Sequence, residues 1–190
     1  MQSLYLIAIL PSEDLSRQIH DIRLQCAEKF GVKKALTPPV QITLYRPFKL
    51  EQAFESKMAR LLQSAAAGVE PFPQEIENFE AFDTHSIVLR ALKNPGIMKL
   101  QRAVAAVFRK NEIDKQIPGS KNLPFRPHLT IAYRDILPEM FPLIWNEYKD
   151  ARFKRTFTVN HFSLLKHDGE KWNKINDFKL TQMVMQTALF

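Results

Sequence analysis

One segment of this chain is weakly echoed in a second. KALTPPVQITLYR runs from Lys34 to Arg46, and KNLPFRPHLTIAYR runs from Lys121 to Arg134. Each copy has a basic, proline-bearing loop, then a polar residue two places before a threonine in an apolar stretch, then Tyr-Arg. Each also precedes a helical pattern. Two such loop–strand units could pack as two lobes around a pseudo-twofold axis. That axis would set Gln41 and Thr43 opposite His128 and Thr130 in one cleft. At 190 residues the chain is long for one small domain and short for two independent ones. The expectation is a single domain, 1–190, of two pseudo-symmetric lobes.

The patterning around the repeat predicts strands and helices that alternate. Leu4–Leu10 is a continuous apolar run and reads as a buried strand. Ser12 follows as an N-cap with Glu13 and Asp14 in the first turn, and Leu15, Ile19, Ile22, Cys26 and Phe30 recur at helical spacing until Gly31. Val40–Tyr45 reads as a strand, and a second helix is expected from about Glu51 to Ala67. Gln74–Phe82 and Ser86–Leu92 read as a strand pair around Asp83-Thr84. Asn94-Pro95 opens a third helix, with Ile97, Leu100, Val104, Val107 and Phe108 on its apolar face. A loop spans Asp114–Pro127, a strand His128–Tyr133, and a short helix Pro138–Tyr148. Arg155–Lys166 and Trp172–Leu180 read as a closing hairpin turned at Asp168-Gly169. Hairpin-linked strands among helices predict an α+β fold with two antiparallel sheets about a central cleft and helices outside, not a doubly wound parallel sheet.

Composition narrows the function classes. Hydrophobic residues make up 45% and charged residues 25%, which excludes disordered and collagen-like chains. The one cysteine, Cys26, rules out an internal disulfide and any zinc-finger spacing. The apolar start stops at Pro11, without a basic leader, and no apolar run has the length of a membrane span. A soluble, cytoplasmic protein without membrane partners is expected. The net charge of +7 suits an anionic ligand such as a phosphoester or nucleic acid, and equally suits a merely solvated basic surface. The five glycines form no Walker or dinucleotide fingerprint.

The repeat also carries chemistry. Residues i and i+2 of a strand share a face, about 6–7 Å apart. His128 and Thr130 therefore point together, as do Gln41, Thr43 and Tyr45. A hydroxyl beside an imidazole can hold a phosphoryl oxygen while the imidazole moves a proton. Pro127 makes Arg126 extended and fixes how the chain enters at His128. Arg126 and Arg134 are in phase with His128, and each reads either as a phosphate contact or as a solvated or salt-bridged side chain. Arg46 has the opposite parity. Tyr45 reads as a stacking platform for a base or as ordinary packing. Lys33, Lys34, Lys115 and Lys121 in the flanking loops would steer an RNA backbone.

In these motifs the chain resembles the two-histidine phosphoesterase superfamily, which includes the 2′-5′ RNA ligase and cyclic phosphodiesterase families. The second His-x-Thr motif is His128-Leu129-Thr130, in the context Arg126-Pro127. The first motif stands as Gln41-Ile42-Thr43. The resemblance spans nearly the whole chain, including the terminal hairpin around His161 and Trp172. It implies catalysis without metal or other cofactor, one histidine as general base and the other as general acid. The two hydroxyls, Thr43 and Thr130, would hold phosphoryl oxygens. It also implies a phosphorylated nucleotide or RNA end as ligand, with no sequence-specific DNA binding.

Gln41 departs from this pattern. It can hydrogen-bond to phosphate but cannot exchange a proton near neutral pH, and losing one acid or base costs about 10²–10⁴ in rate. The chain is thus read as a weakened enzyme, as an enzyme in which another residue fills the gap, or as a binding module. His20, His85, His161 and His167 read as structural or surface residues. His161 and His167 would lie about 20 Å apart on one strand, too far to share a metal. Nothing in the sequence sets an oligomeric state.

Overall fold

A computed structural model of the chain describes residues 1–113 and 124–181. Lys115 and Lys121 lie outside the described residues. The strands are β1 (Gln2–Ile9), β2 (Ile42–Glu51), β3 (Phe72–Phe82), β4 (Ser86–Ala91), β5 (His128–Tyr133), β6 (Lys154–Val159), β7 (His161–His167) and β8 (Trp172–Lys179). The helices are α1 (Glu13–Phe30), α2 (Glu55–Ala66), α3 (Pro95–Lys110) and α4 (Phe141–Tyr148). Two four-stranded sheets form, in the orders β2-β1-β7-β8 and β5-β4-β3-β6. Every pairing is antiparallel. This is the α+β fold of two antiparallel sheets with helices around them.

The doubled segment maps onto a doubled structural unit. β1-α1-β2 in the first sheet matches β4-α3-β5 in the second, and each unit ends on its sheet's edge strand. The helices are exchanged between units: α1 lies against β5, and α3 lies against β2. Each edge strand is therefore supported from behind by the other unit's helix, which holds β2 and β5 in a fixed relation.

Local sequence explains where the helices start and stop. Ser12 Oγ accepts from the Leu15 amide, and Gly31 takes the left-handed conformation (φ 75°) that ends α1. Asn94 Oδ1 accepts from the Ile97 amide, with Pro95 next in line. The five apolar residues expected on α3 are all buried. In β1, Tyr5, Ile7 and Ile9 enter the main core, whereas Leu6 and Ala8 join Leu165 in a small cluster on the opposite face. Both faces of β1 are covered, so its sequence is a run of apolar residues without alternation. Glu55, opening α2, accepts from Tyr5 Oη at 2.7 Å and from Lys166 Nζ at 2.9 Å, which ties that helix to the first sheet.

Two expected elements are corrected. β2 does not stop at Tyr45 but runs to Glu51, and α2 starts at Glu55 after a short 3-10 turn over Gln52–Phe54. Pro47 is tolerated inside β2 because this is an edge strand, where one side of the ladder is unused. The stretch Arg155–Lys166 is not one strand. It breaks at Asn160, with β6 paired to β3 in the second sheet and β7 to β1 in the first. The chain changes sheets there without a glycine or proline to mark it. The hairpin proper is β7–β8.

Candidate active site

The two edge strands open on a cavity of about 230 Å³. Thr43 of β2 and Gln41 just before it line one side, and His128, Thr130 and Tyr133 of β5 with Arg134 just after it line the other. Pro38, Pro39 and Pro47 form one rim, Leu6 and Trp172 contribute an apolar wall, and Arg23 reaches it from α1. The two halves of the repeat thus meet in one place.

His128 is held in one tautomer. Its Nδ1 lies 2.7 Å from the Arg126 carbonyl oxygen. A carbonyl only accepts, so Nδ1 carries the proton and, in the neutral ring, Nε2 is left with its lone pair. The imidazole also packs edge-on against Phe82, with centroids 4.8 Å apart. Burial lowers its pKa below the ordinary 6.5, the nearby Arg126 guanidinium adds to this, and the backbone hydrogen bond works against it. At neutral pH the ring is therefore uncharged and able to take up a proton.

Gln41 immediately precedes β2 and lines the same cavity as His128. Its Oε1 is buried and has no hydrogen-bond partner. An unmatched buried acceptor costs about 1–3 kcal/mol, and a donor arriving in the cavity would recover that. Thr43 pairs with Ala8, and Thr130 with Val88. Arg134, the residue after β5, has a left-handed backbone (φ 68°), an unusual conformation for a non-glycine residue. Its guanidinium stacks over the Tyr133 ring at 5.1 Å. The next residue, Asp135, accepts from the Lys33 and Lys34 amides at 2.6 and 2.9 Å. This carboxylate pins the loop leading to Gln41 against the end of β5.

Two expected contacts are placed elsewhere. The β1–β2 register pairs Ala8 with Thr43 but Ile7 with Tyr45, so Leu44 is an extra residue. Such a bulge reverses the alternation, and Tyr45 turns into the core. There it stacks on Phe108 of α3, with centroids 3.5 Å apart and planes within 8°. The Arg46 guanidinium lies over the Tyr45 ring, 5.7 Å from its centroid. Arg126 precedes β5 and does not line the cavity. Its side chain pairs with Glu80 at 2.7 Å and covers the Phe82 ring at 4.0 Å. Its contribution to the cavity is its carbonyl, which fixes His128.

Arg23, Tyr133 and Trp172 line the cavity without having been singled out in the sequence. Arg23 carried a readable signal: 15, 19, 23 and 26 fall on one face of α1, so a cation interrupts an otherwise apolar stripe. Elsewhere, His161 contacts Asn160 and lies 3.9 Å from Asp177, while His167 packs against Trp172. Among the described residues no cluster of metal-ligating side chains occurs, and no helix is long and apolar enough to cross a membrane.

The sequence from residue 11 to residue 171 matches the family model of the 2′-5′ RNA ligase superfamily. The chain belongs to that superfamily. Among the superfamily's relatives, a protein of Geobacillus kaustophilus named as a phosphoesterase by inference is 27% identical over 165 residues, covering 85% of this chain and 86% of its own. A similarly named protein of Halalkalibacterium halodurans is 24% identical over 180 residues, covering 93% and 96%. Among solved structures, TT0787 of Thermus thermophilus superposes with a TM-score of 0.72 at 18% identity, over 95% of this chain and 99% of that one. Escherichia coli LigT in complex with 3′-AMP gives 0.64 at 15% identity, over 96% and 100%. At these identities the structural likeness establishes the superfamily fold.

Proposed function

We propose that this superfamily member is a phosphoesterase acting on 2′-linked phosphoesters of nucleotides or RNA ends, by acid–base chemistry centred on His128. The observation that carries the reading is the convergence of His128, Thr130, Gln41 and Thr43 on one cavity from two sheets. Nε2 of His128 takes the proton of an attacking water. Thr43 and Thr130 donate to the phosphoryl oxygens as negative charge builds on them. Arg134 adds positive charge at the rim. Gln41 stands where the first motif histidine is expected; its amide hydrogen-bonds to the ligand but supplies no proton. The departing ribose oxygen is then protonated by solvent, which slows the reaction for poor leaving groups. The LigT structures with 3′-AMP, ATP and NADP+ support a phosphorylated nucleotide as ligand.

Gln41 also favours a second reading, in which the cavity recognises a nucleotide or RNA end without turning it over. One experiment separates the two. Nucleoside 2′,3′-cyclic phosphates and a 2′-5′-linked dinucleotide are offered to wild type, His128→Ala and Gln41→His. Turnover by wild type that disappears in His128→Ala is the result expected of the enzyme. Turnover appearing only in Gln41→His identifies the recognition module. Turnover that survives in His128→Ala overturns the role given to this histidine.

A further inference from the structure

Arg23 is only 2% exposed, and no described carboxylate pairs with it. Its described hydrogen bonds go to two carbonyls: Nε donates to Thr130 O at 2.8 Å and Nη1 to Pro38 O at 2.9 Å. Neither carbonyl carries a net charge to balance the guanidinium. A buried, uncompensated cation is costly. That cost is visible in the side chain itself, whose pKa burial pulls down to about 10, still far enough above neutrality to keep it charged. The second terminal nitrogen, Nη2, bonds to no described residue, yet it is not among the buried atoms left without a partner. Arg23 is one of the residues that line the cavity.

We infer that Arg23 is a ligand-binding residue, its Nη2 donating to a non-bridging oxygen of the phosphoryl group held between Thr43 and Thr130. This rests on the phosphoester reading of the cavity and adds to it a donor carried by α1, the helix packed against β5. The fork shape of the guanidinium lets it do two things at once. Two N–H groups grip the walls, at Thr130 on the His128 strand and at Pro38 on the loop leading to Gln41. The remaining edge meets the anion. The ligand supplies the missing negative charge, and Arg23 supplies a fixed donor that needs no reorganisation. The repeat does not duplicate this device. The corresponding helix, α3, presents Phe108 to Tyr45 instead, so among the described residues the buried cation at the cavity comes from α1 alone.

The test is binding of inorganic phosphate and adenosine 2′-monophosphate, measured by calorimetry on wild type, Arg23→Lys and Arg23→Gln. A charge-assisted hydrogen bond predicts affinity about 10- to 100-fold weaker in Arg23→Gln and intermediate in Arg23→Lys. A residue that only braces the walls would lower the melting temperature of the empty protein and leave the affinity of the folded fraction unchanged. That result overturns the assignment of Arg23 alone. Absence of phosphate and nucleotide binding in wild type overturns the phosphoester reading itself. Should Arg23→Gln fail to fold, wild-type crystals grown with adenosine 2′-monophosphate decide. A phosphoryl oxygen within about 3.2 Å of Nη2 supports the assignment, and an anion bound away from it overturns it.

Discussion

His128 shows how little of a side chain's chemistry is set by its own identity. Pro127 shapes the backbone, the Arg126 carbonyl takes the Nδ1 proton, and burial against Phe82 holds the ring neutral. The sign of the resulting pH dependence is definite. As pH falls through the ordinary value near 6.5, the unfolded chain takes up a proton that folded His128 refuses. Stability is therefore full above about 6.5 and declines from there down to the lowered folded value. The melting temperature of wild type should drop over that window by more than that of His128→Gln. Activity should follow the same ionisation: kcat/KM for a 2′,3′-cyclic phosphate rises with pH, with a midpoint below 6.5, to a plateau. Gln41 does not titrate, so the profile should have one limb; a bell-shaped profile would reveal a second acid. Thr43→Ala should lower kcat by roughly 10²–10³, the usual cost of one donor to a developing oxyanion. Cys26 is a contrasting case. It is buried and its thiol is pushed up by burial, so iodoacetamide should label it only under denaturing conditions.

At the scale of elements, what matters is how strands and helices meet. The register of β2 shifts twice against β1, and the shift at Leu44 sends Tyr45 inward while Thr43 stays on the cavity. Strand parity alone would have kept both on one face, because period-two alternation holds only while the ladder is unbroken. The start of α3 is similarly tight. A Cβ added at Gly96 would come within 2.3 Å of the Phe72 ring at the head of β3. Gly96→Ala should therefore destabilise the fold by about 1–3 kcal/mol, the range for overpacking, which chemical denaturation would register as a lower midpoint with unchanged slope. An unchanged midpoint would mean that the Phe72 ring moves aside at no cost.

Across the whole molecule, the cavity belongs to neither sheet. Its walls are edge strands of two different sheets, each backed by the other unit's helix. A ligand that touches both walls binds only the assembled protein. At a hundred times its dissociation constant it should stabilise folding by about 2.7 kcal/mol, seen as a raised melting temperature with adenosine 2′-monophosphate and not with adenosine. The excess of cations, +7 over the chain, works at longer range. If an RNA end is the ligand, as proposed, its affinity should fall linearly with the logarithm of salt concentration, whereas preference for a phosphorylated over an unphosphorylated end should persist.

The sequence by itself determined a large part of this. The apolar runs and caps placed α1, α3 and β5 within a residue or two, because helix ends and strand faces obey local rules. The doubled loop–strand segment implied that Gln41, Thr43, His128 and Thr130 would meet. Other features depended on contacts between residues far apart in the chain. The bulge that removes Tyr45 is set by pairing with β1, and the break at Asn160 by competition between two sheets for one continuous β-rich segment. Arg126 follows the same logic, drawn from the cavity by Glu80 and Phe82, partners 46 and 44 positions before it. Arg23 is the clearest case. Its place on the inner face of α1 is written in helical periodicity, but its partners Thr130 and Pro38 come from the second sheet and a distant loop. Only the exchange of helices between the two units makes this buried cation part of the cavity.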